Sequence, residues 1–469
     1  MRNYDLIVIG SGPAGHHAAI QAAKLGKRVA VVERKQVLGG VCLNTGTIPS
    51  KTLREAVLYL TGLRQRSVYG LSYRVKRDIT MDDLRFRTDH VIRLETQVFQ
   101  AQLQRNRVEL LNGTASFRDA HCVEVEGLEE KEEFSADFIV IATGTSPAHS
   151  ETVPIDGTSV VDSDMFLHIP SLPRSITIVG AGVIGVEYAS MTAALGIPTT
   201  LVEQRDGMLE FLDSEIVEAL RYQMRDLGVT LRFGEQVVAV KKGPEGWITA
   251  ELKSKKEIRS DALLYSVGRQ GNTAKLNLTA AGLQADERGR IQVNEHYQTR
   301  VPHIYAVGDV IGFPSLASVS MMQGRLAAAH AFRVSIASVP SLFPFGIYTI
   351  PEISYVGQNE DQLTRNEIPY EVGTARYREI ARGNIMGDPN GLLKILFHRE
   401  TRELLGVHII GEGAAELIHI GQAVLTFRGG LDYFLNNVFN YPTLAECYKV
   451  AALAGANKIS PTSSAAALS

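Results

Sequence analysis

Apolar positions gather into short runs, and two of these runs end the same way. Leu6–Ile9 leads into Gly10-Ser-Gly12-Pro-Ala-Gly15, then a helical stretch, then the run VAVVE closing on Glu33. Ile176–Val179 leads into Gly180-Ala-Gly182-Val-Ile-Gly185, a second helical stretch, and TTLVE closing on Glu203. This order predicts strand, tight turn, helix and strand with a terminal acid, twice in one chain. Two further apolar strands close on Ala142-Thr143-Gly144 and on Gly268-Arg269, and a third, HIYAVGDV, closes on Gly308 and Asp309. From about residue 345 the pattern changes. Alternating strands are expected at LLKILFHR and LLGVHIIG, followed by helical periodicity from Ala414 to Phe427. That predicts a separate α+β domain.

The repeated pattern carries its own chemistry. The first glycine makes a turn that other residues make only with strain. The second lets backbone approach a pyrophosphate, and the third lets helix pack on strand. The helix N-terminus then offers N–H groups and positive dipole to phosphate. Glu33 and Glu203 stand where a carboxylate accepts hydrogen bonds from ribose hydroxyls. Two complete copies imply two dinucleotides held together, hence electron or hydride transfer between them. Arg205 follows Glu203 closely. A carboxylate disfavours a ribose 2′-phosphate and favours NAD, while Arg205 reads either as a guanidinium that offsets that repulsion and binds the phosphate of NADP or as a solvated surface arginine.

Composition narrows the class. The 469 residues allow three or four domains, and 45% apolar with 21% charged residues is ordinary for a globular protein. A net charge of −3 suggests no nucleic-acid or membrane field. The arginine-rich stretch from Arg74 to Arg107 has acids mixed in and reads as solvated helix faces. The first strand starts at residue 5, which leaves no room for a signal peptide, and no run spans a bilayer. Cys42, Cys122 and Cys447 are widely spaced, offer no metal-site pattern and fit a reducing cytoplasm.

Residues 39–52, GGVCLNTGTIPSKT, taken with both fingerprints, the ATG segment and YAVGDV, resemble the flavoprotein disulfide reductases over nearly the whole chain. The resemblance implies an α/β fold with two tandem Rossmann-like dinucleotide-binding domains, for FAD and NAD(P), and an α+β dimerisation domain. It places the first part of the FAD domain at 1–150 and the NAD(P) domain at 151–270. The FAD domain's return segment follows at 271–344 and the dimerisation domain at 345–459, before a disordered low-complexity tail at 460–469. It implies FAD held by Gly10, Gly12, Gly15, Glu33, Arg34, Gly40, Cys42, Thr47, Thr143, Gly144, Gly308 and Asp309. It implies a pyridine nucleotide at Gly180, Gly182, Gly185, Glu203, Arg205 and Gly268. Lys51 is implied under the flavin N5, paired with Glu187, and a homodimer is implied.

Two departures from that family agree with each other. Its redox pair is Cys-x-x-x-x-Cys, but here Cys42 is followed by Thr47, whose hydroxyl forms no disulfide. Cys42 is therefore expected to be a residual buried thiol. The family's proton-shuttling His-Pro-x-x-x-Glu is here Tyr441-Pro442-Thr443-Leu444-Ala445-Glu446, and a tyrosine with pKa near 10 shuttles protons poorly at neutral pH. The disulfide half-reaction is thus absent while the flavin half-reaction remains. With this combination the chain resembles one branch of the family, and that resemblance implies exchange of hydride between NADPH and NAD+ by a ping-pong route through flavin N5. A diaphorase reducing quinones uses the same half-reaction, and a non-catalytic flavin-bound sensor is the alternative outside enzymes.

Overall fold

The computed structural model describes residues 2–128, 130–335 and 342–459, so the expected tail at 460–469 lies outside the described residues. The chain forms two compact units. Among the described residues, the first comprises 2–55, 80–172 and 265–335, and the second comprises 56–79, 173–264 and 342–459.

In the first unit, Arg2–Ile9 is the central strand of a seven-stranded sheet. It pairs in parallel with Val29–Glu33 on one side and with Lys131–Ile141 on the other. Glu109–Asn112 extends the first side, and Ile304–Ala306 adds beside Lys131–Ile141. The chain therefore leaves the central strand in opposite directions, and the crevice at that switch is where such sheets bind ligands. The first fingerprint helix, Pro13–Lys24, begins with proline, whose missing N–H costs nothing there. Apart from His16, its buried residues are small: Ala14, Gly15, Ala18, Ala19 and Ala22. That lets the helix Ala317–Ala331 approach closely, and a Cβ on Gly324 would stand 2.0 Å from the carbonyl oxygen of Ala14.

The second unit repeats the motif. Ile176–Val179, Thr199–Val202 and Thr230–Arg232 pair in parallel, with the almost fully buried helix Val183–Ala194 between the first two. A five-stranded antiparallel sheet follows, in the spatial order 345–347, 353–357, 404–410, 392–398, 370–376. The helix predicted from Ala414 to Phe427 runs Ala414–Thr426.

The strands at 392–398 and 404–410 do not alternate as expected; nearly every residue in them is buried. One face, with Leu393, Ile395 and Phe397, packs among the C-terminal helices. The other face is also covered, which is the pattern of a strand with both sides buried. It carries Lys394, fully buried, whose Nζ meets Asp213 (2.9 Å), Glu215 (3.1 Å) and Glu360. Three carboxylates converge here, and the lysine ammonium supplies their positive charge. Burial works against that ammonium, but its acidic partners outweigh burial and hold it charged.

Candidate functional site: a dinucleotide cleft and a second nucleotide turn

The sequence sets both turns by the same means. Gly10 has φ +107°, and a Cβ there would lie 2.4 Å from the carbonyl oxygen of Ala142. Gly180 has φ +101°. The Gly10 N–H donates to Val32 O and the Gly180 N–H to Val202 O, each at 2.8 Å. The residue after each glycine then donates its N–H to the terminal acid: Ser11 to Glu33 Oε2 (3.1 Å) and Ala181 to Glu203 Oε2 (2.8 Å). The repeat read in the sequence is therefore also a repeat of hydrogen bonds.

In the first unit these parts open onto one cleft, with about 1270 Å³ of space counting its open mouth. Its walls include Gly10, Gly12, Glu33, Arg34, Gly40, Cys42, Thr47, Thr143, Gly144, Gly308 and Asp309. Gly15 lies behind the wall, where a Cβ would stand 1.9 Å from the carbonyl oxygen of Gly10, so it serves packing. Lys51 lies one turn beyond Thr47 on the helix Thr47–Thr61, and its Nζ donates to Ser50 Oγ at 3.3 Å. Gly268 lies in the strand-end turn, with φ +143°, and its carbonyl accepts the Ala148 N–H.

Several features fit a bound dinucleotide. A Cβ on Gly12 would meet nothing nearer than Gly40 Cα at 4.0 Å, so glycine there keeps ligand space rather than fold space. Neither fingerprint helix has a side-chain cap at its N-terminus, which leaves N–H groups for phosphate. Thr143 Oγ1, on the cleft wall, is buried without a hydrogen-bond partner among the described residues. Asp309 is also on the wall; burial pushes its carboxyl up, while Arg269 and the Thr145 hydroxyl pull it back. Such groups need a polar ligand.

Sequence reasoning missed some of the machinery. Ser11 Oγ donates to Glu33 Oε2 (2.6 Å) and accepts from the Gly39 N–H (3.1 Å), tying the acid to the loop after it. Arg269 donates to Thr145 Oγ1 (2.9 Å), Thr145 O (2.9 Å) and Asp164 Oδ1 (3.0 Å), bracing the wall beside Asp309. Asn272 donates to Thr143 O at 3.0 Å. The signal was the Gly268-Arg269 strand end and its following Asn272. Cys42 departs from expectation: it is half-buried on the cleft wall rather than buried. Burial raises its thiol pKa, with the Thr47 hydroxyl acting in the other direction.

In the second unit, Glu203 is buried and Arg205 is half-exposed. Arg205 Nε and Nη2 reach Glu203 Oε1 and Oε2 at 3.1 and 3.2 Å. Burial opposes ionisation of Glu203, but this guanidinium and two backbone N–H groups hold its carboxyl below the ordinary value. A Cβ on Gly182 would meet nothing within 4 Å, again leaving ligand space. Glu187, buried, accepts the Tyr348 N–H on Oε1 at 2.9 Å. Tyr441 is 74% exposed, and Glu446, heading the helix Glu446–Ile459, has a buried Oε2 without a partner among the described residues.

No helix among the described residues is long and apolar enough to cross a membrane. The chain matches the family described as pyridine nucleotide-disulphide oxidoreductase over residues 4–324, and its dimerisation domain over 343–452. It is 58% identical over 98% of both chains to the soluble pyridine nucleotide transhydrogenase of Mycobacterium bovis. To the protein of that name from Colwellia psychrerythraea it is 46% identical, over 97% of this chain and 99% of the other. Among solved structures it resembles the HOCl-induced flavoprotein disulfide reductase RclA from Escherichia coli, in its Cu(II) complex, with TM-score 0.87 and 27% identity over 97% of this chain and 99% of that one. The chain belongs to the pyridine nucleotide-disulphide oxidoreductase family.

Proposed function

We propose that this chain is an FAD-dependent transhydrogenase that moves hydride between NADPH and NAD+. The observation that carries the reading is Thr47 standing on the cleft wall with Cys42, in a chain whose two dinucleotide turns are both intact. FAD, when bound, would supply a hydride carrier that takes the two electrons from one nucleotide and returns them to the next, so that the two nucleotides react in turn. The relatives named as transhydrogenases match end to end, which supports the same assignment here.

The chain's own residues bind and orient. Glu33, Thr143 and Asp309 face the cleft with acceptor or donor capacity for ribose and ribityl hydroxyls, and the open helix N-terminus after Gly12 takes the pyrophosphate. Lys51, one helical turn beyond Thr47, would offer its positive charge to bound FAD. Glu203 and Arg205 take the adenosine ribose of the pyridine nucleotide. Cys42 has no second sulfur in its loop, so no disulfide step competes. Tyr441 and Glu446 keep the positions of the proton-shuttling segment without its histidine. The chain assembles as a homodimer through residues 343–452, and it works in the cytoplasm.

Steady-state assays test the assignment against the diaphorase reading. NADPH with an NAD+ analogue should give parallel-line initial-rate plots and turn over faster than NADPH with a quinone. Rapid quinone reduction with no transfer to the NAD+ analogue would replace the assignment by the diaphorase.

A further inference from the structure

One pyridine-nucleotide turn must accept both NAD(H) and NADP(H), and these differ only by the phosphate on the adenosine 2′ position. The groups that meet that position are therefore what distinguishes them. Glu203 is locked: it accepts the Ala181 N–H at 2.8 Å, the Arg205 N–H at 3.1 Å and the guanidinium through both oxygens. It is 6% exposed, so it cannot swing aside for a dianion. Arg205 is 46% exposed, and its Nη1 takes no part in the contacts to Glu203. That nitrogen lies 3.7 Å from Oε2 of Glu210, a side chain 59% exposed and outside the fingerprint. Two carboxylates thus share one guanidinium, one buried and one exposed.

We propose that Glu210 is a specificity-determining residue: it holds the outer edge of Arg205 and competes there with the 2′-phosphate of NADP(H). NAD(H) leaves the Arg205–Glu210 contact in place. NADP(H) displaces Glu210, because Glu203 cannot yield, and the phosphate then takes the freed guanidinium edge. Glu210 therefore weakens NADP(H) selectively and sets the balance between the two nucleotides. The inference rests on the assignment of Glu203 and Arg205 to the adenosine ribose.

The test uses the full-length FAD-loaded protein and equilibrium titration with NAD+ and NADP+, the oxidised forms, so that turnover does not enter. Glu210→Gln should tighten NADP+ by roughly three- to tenfold, the scale of one exposed charge pair plus repulsion from a phosphate. NAD+ should stay within about twofold. The gain should shrink at high salt, because both charges are exposed. Glu210→Arg should tighten NADP+ further, which a merely structural role would not do. Unchanged NADP+ affinity in both variants, or equal shifts for both nucleotides, overturns the role of Glu210. If Arg205→Ala also affects both nucleotides equally, the ribose assignment itself falls; if it weakens NADP+ alone, that assignment stands apart from Glu210.

Discussion

Asp309 concentrates a conflict between stability and binding in one carboxyl. Burial raises its pKa, so the native state holds its proton more tightly than the unfolded chain does. Stability of the FAD-free protein therefore falls as pH rises above the ordinary aspartate value near 3.8 toward the raised one. Asp309→Asn should raise the Tm of the FAD-free protein at pH 7 and weaken FAD binding. The gain in Tm should vanish below about pH 4. Thermal melts with and without FAD check both signs, and a lowered Tm at pH 7 would contradict the argument. Thr47 carries a second prediction at this scale. Thr47→Cys should let a disulfide form with Cys42, yet give little disulfide-reductase activity until Tyr441→His is added. Substantial lipoamide reduction by Thr47→Cys alone would show that Tyr441 does not limit proton transfer.

At the scale of elements, the glycines of the two turns divide into those the fold needs and those the ligand needs. Gly10, with φ +107° and a carbonyl 2.4 Å from any added Cβ, belongs to the fold. Gly182, where an added Cβ would meet nothing within 4 Å, is not held to glycine by packing, and we assign it to the pyridine nucleotide. Gly10→Ala should cost stability by more than 1 kcal/mol, since the backbone strain adds to the clash. Gly182→Ala should leave Tm within a degree or two but weaken both pyridine nucleotides. Melting curves and nucleotide titrations separate the two, and equal loss of Tm in both variants would contradict the division. The first fingerprint helix also carries a pH response. His16 is buried against Phe99, with stacked rings 4.2 Å apart, and neither ring nitrogen finds a hydrogen-bond partner among the described residues. Burial, with the neighbouring His17, lowers its pKa to about 4. A depressed histidine stabilises the native state above the unfolded pKa near 6.5, and that contribution is lost as pH falls toward 4. The loss is roughly 3 kcal/mol at full extent. His16→Phe should keep the stack and flatten much of the fall in stability between pH 6.5 and 4, measured by urea unfolding. An unchanged slope would remove His16 from the account.

For the whole molecule, the two nucleotide turns were legible because each combines a period change, three glycines and a terminal acid in fixed order. The hydrogen bonds from Ser11 and Ala181 to Glu33 and Glu203 repeat what the spacing implied. The missing thiol and missing histidine were legible for the same reason, since each fails inside an otherwise complete motif. Other parts were not legible. The Gly268-Arg269 strand end marks Arg269 in the sequence, but its partners Thr145 and Asp164 lie far from it along the chain and are fixed only by the fold. Alternation was expected at LLKILFHR, but both faces of that strand are buried, because the partners of Lys394, Asp213 and Glu360, come from distant segments. Glu210 lies outside the fingerprint and gains meaning only from its distance to Arg205. The molecule as a whole moves hydride from one nucleotide to the other through a flavin with no disulfide beside it. Anaerobic titration of the FAD-loaded protein tests this most directly. NADPH should bleach the flavin with uptake of two electrons per subunit and no long-wavelength thiolate-to-flavin band, and added NAD+ should then restore the oxidised spectrum with formation of NADH. Uptake of four electrons, or a reduced flavin that NAD+ fails to reoxidise, would contradict it.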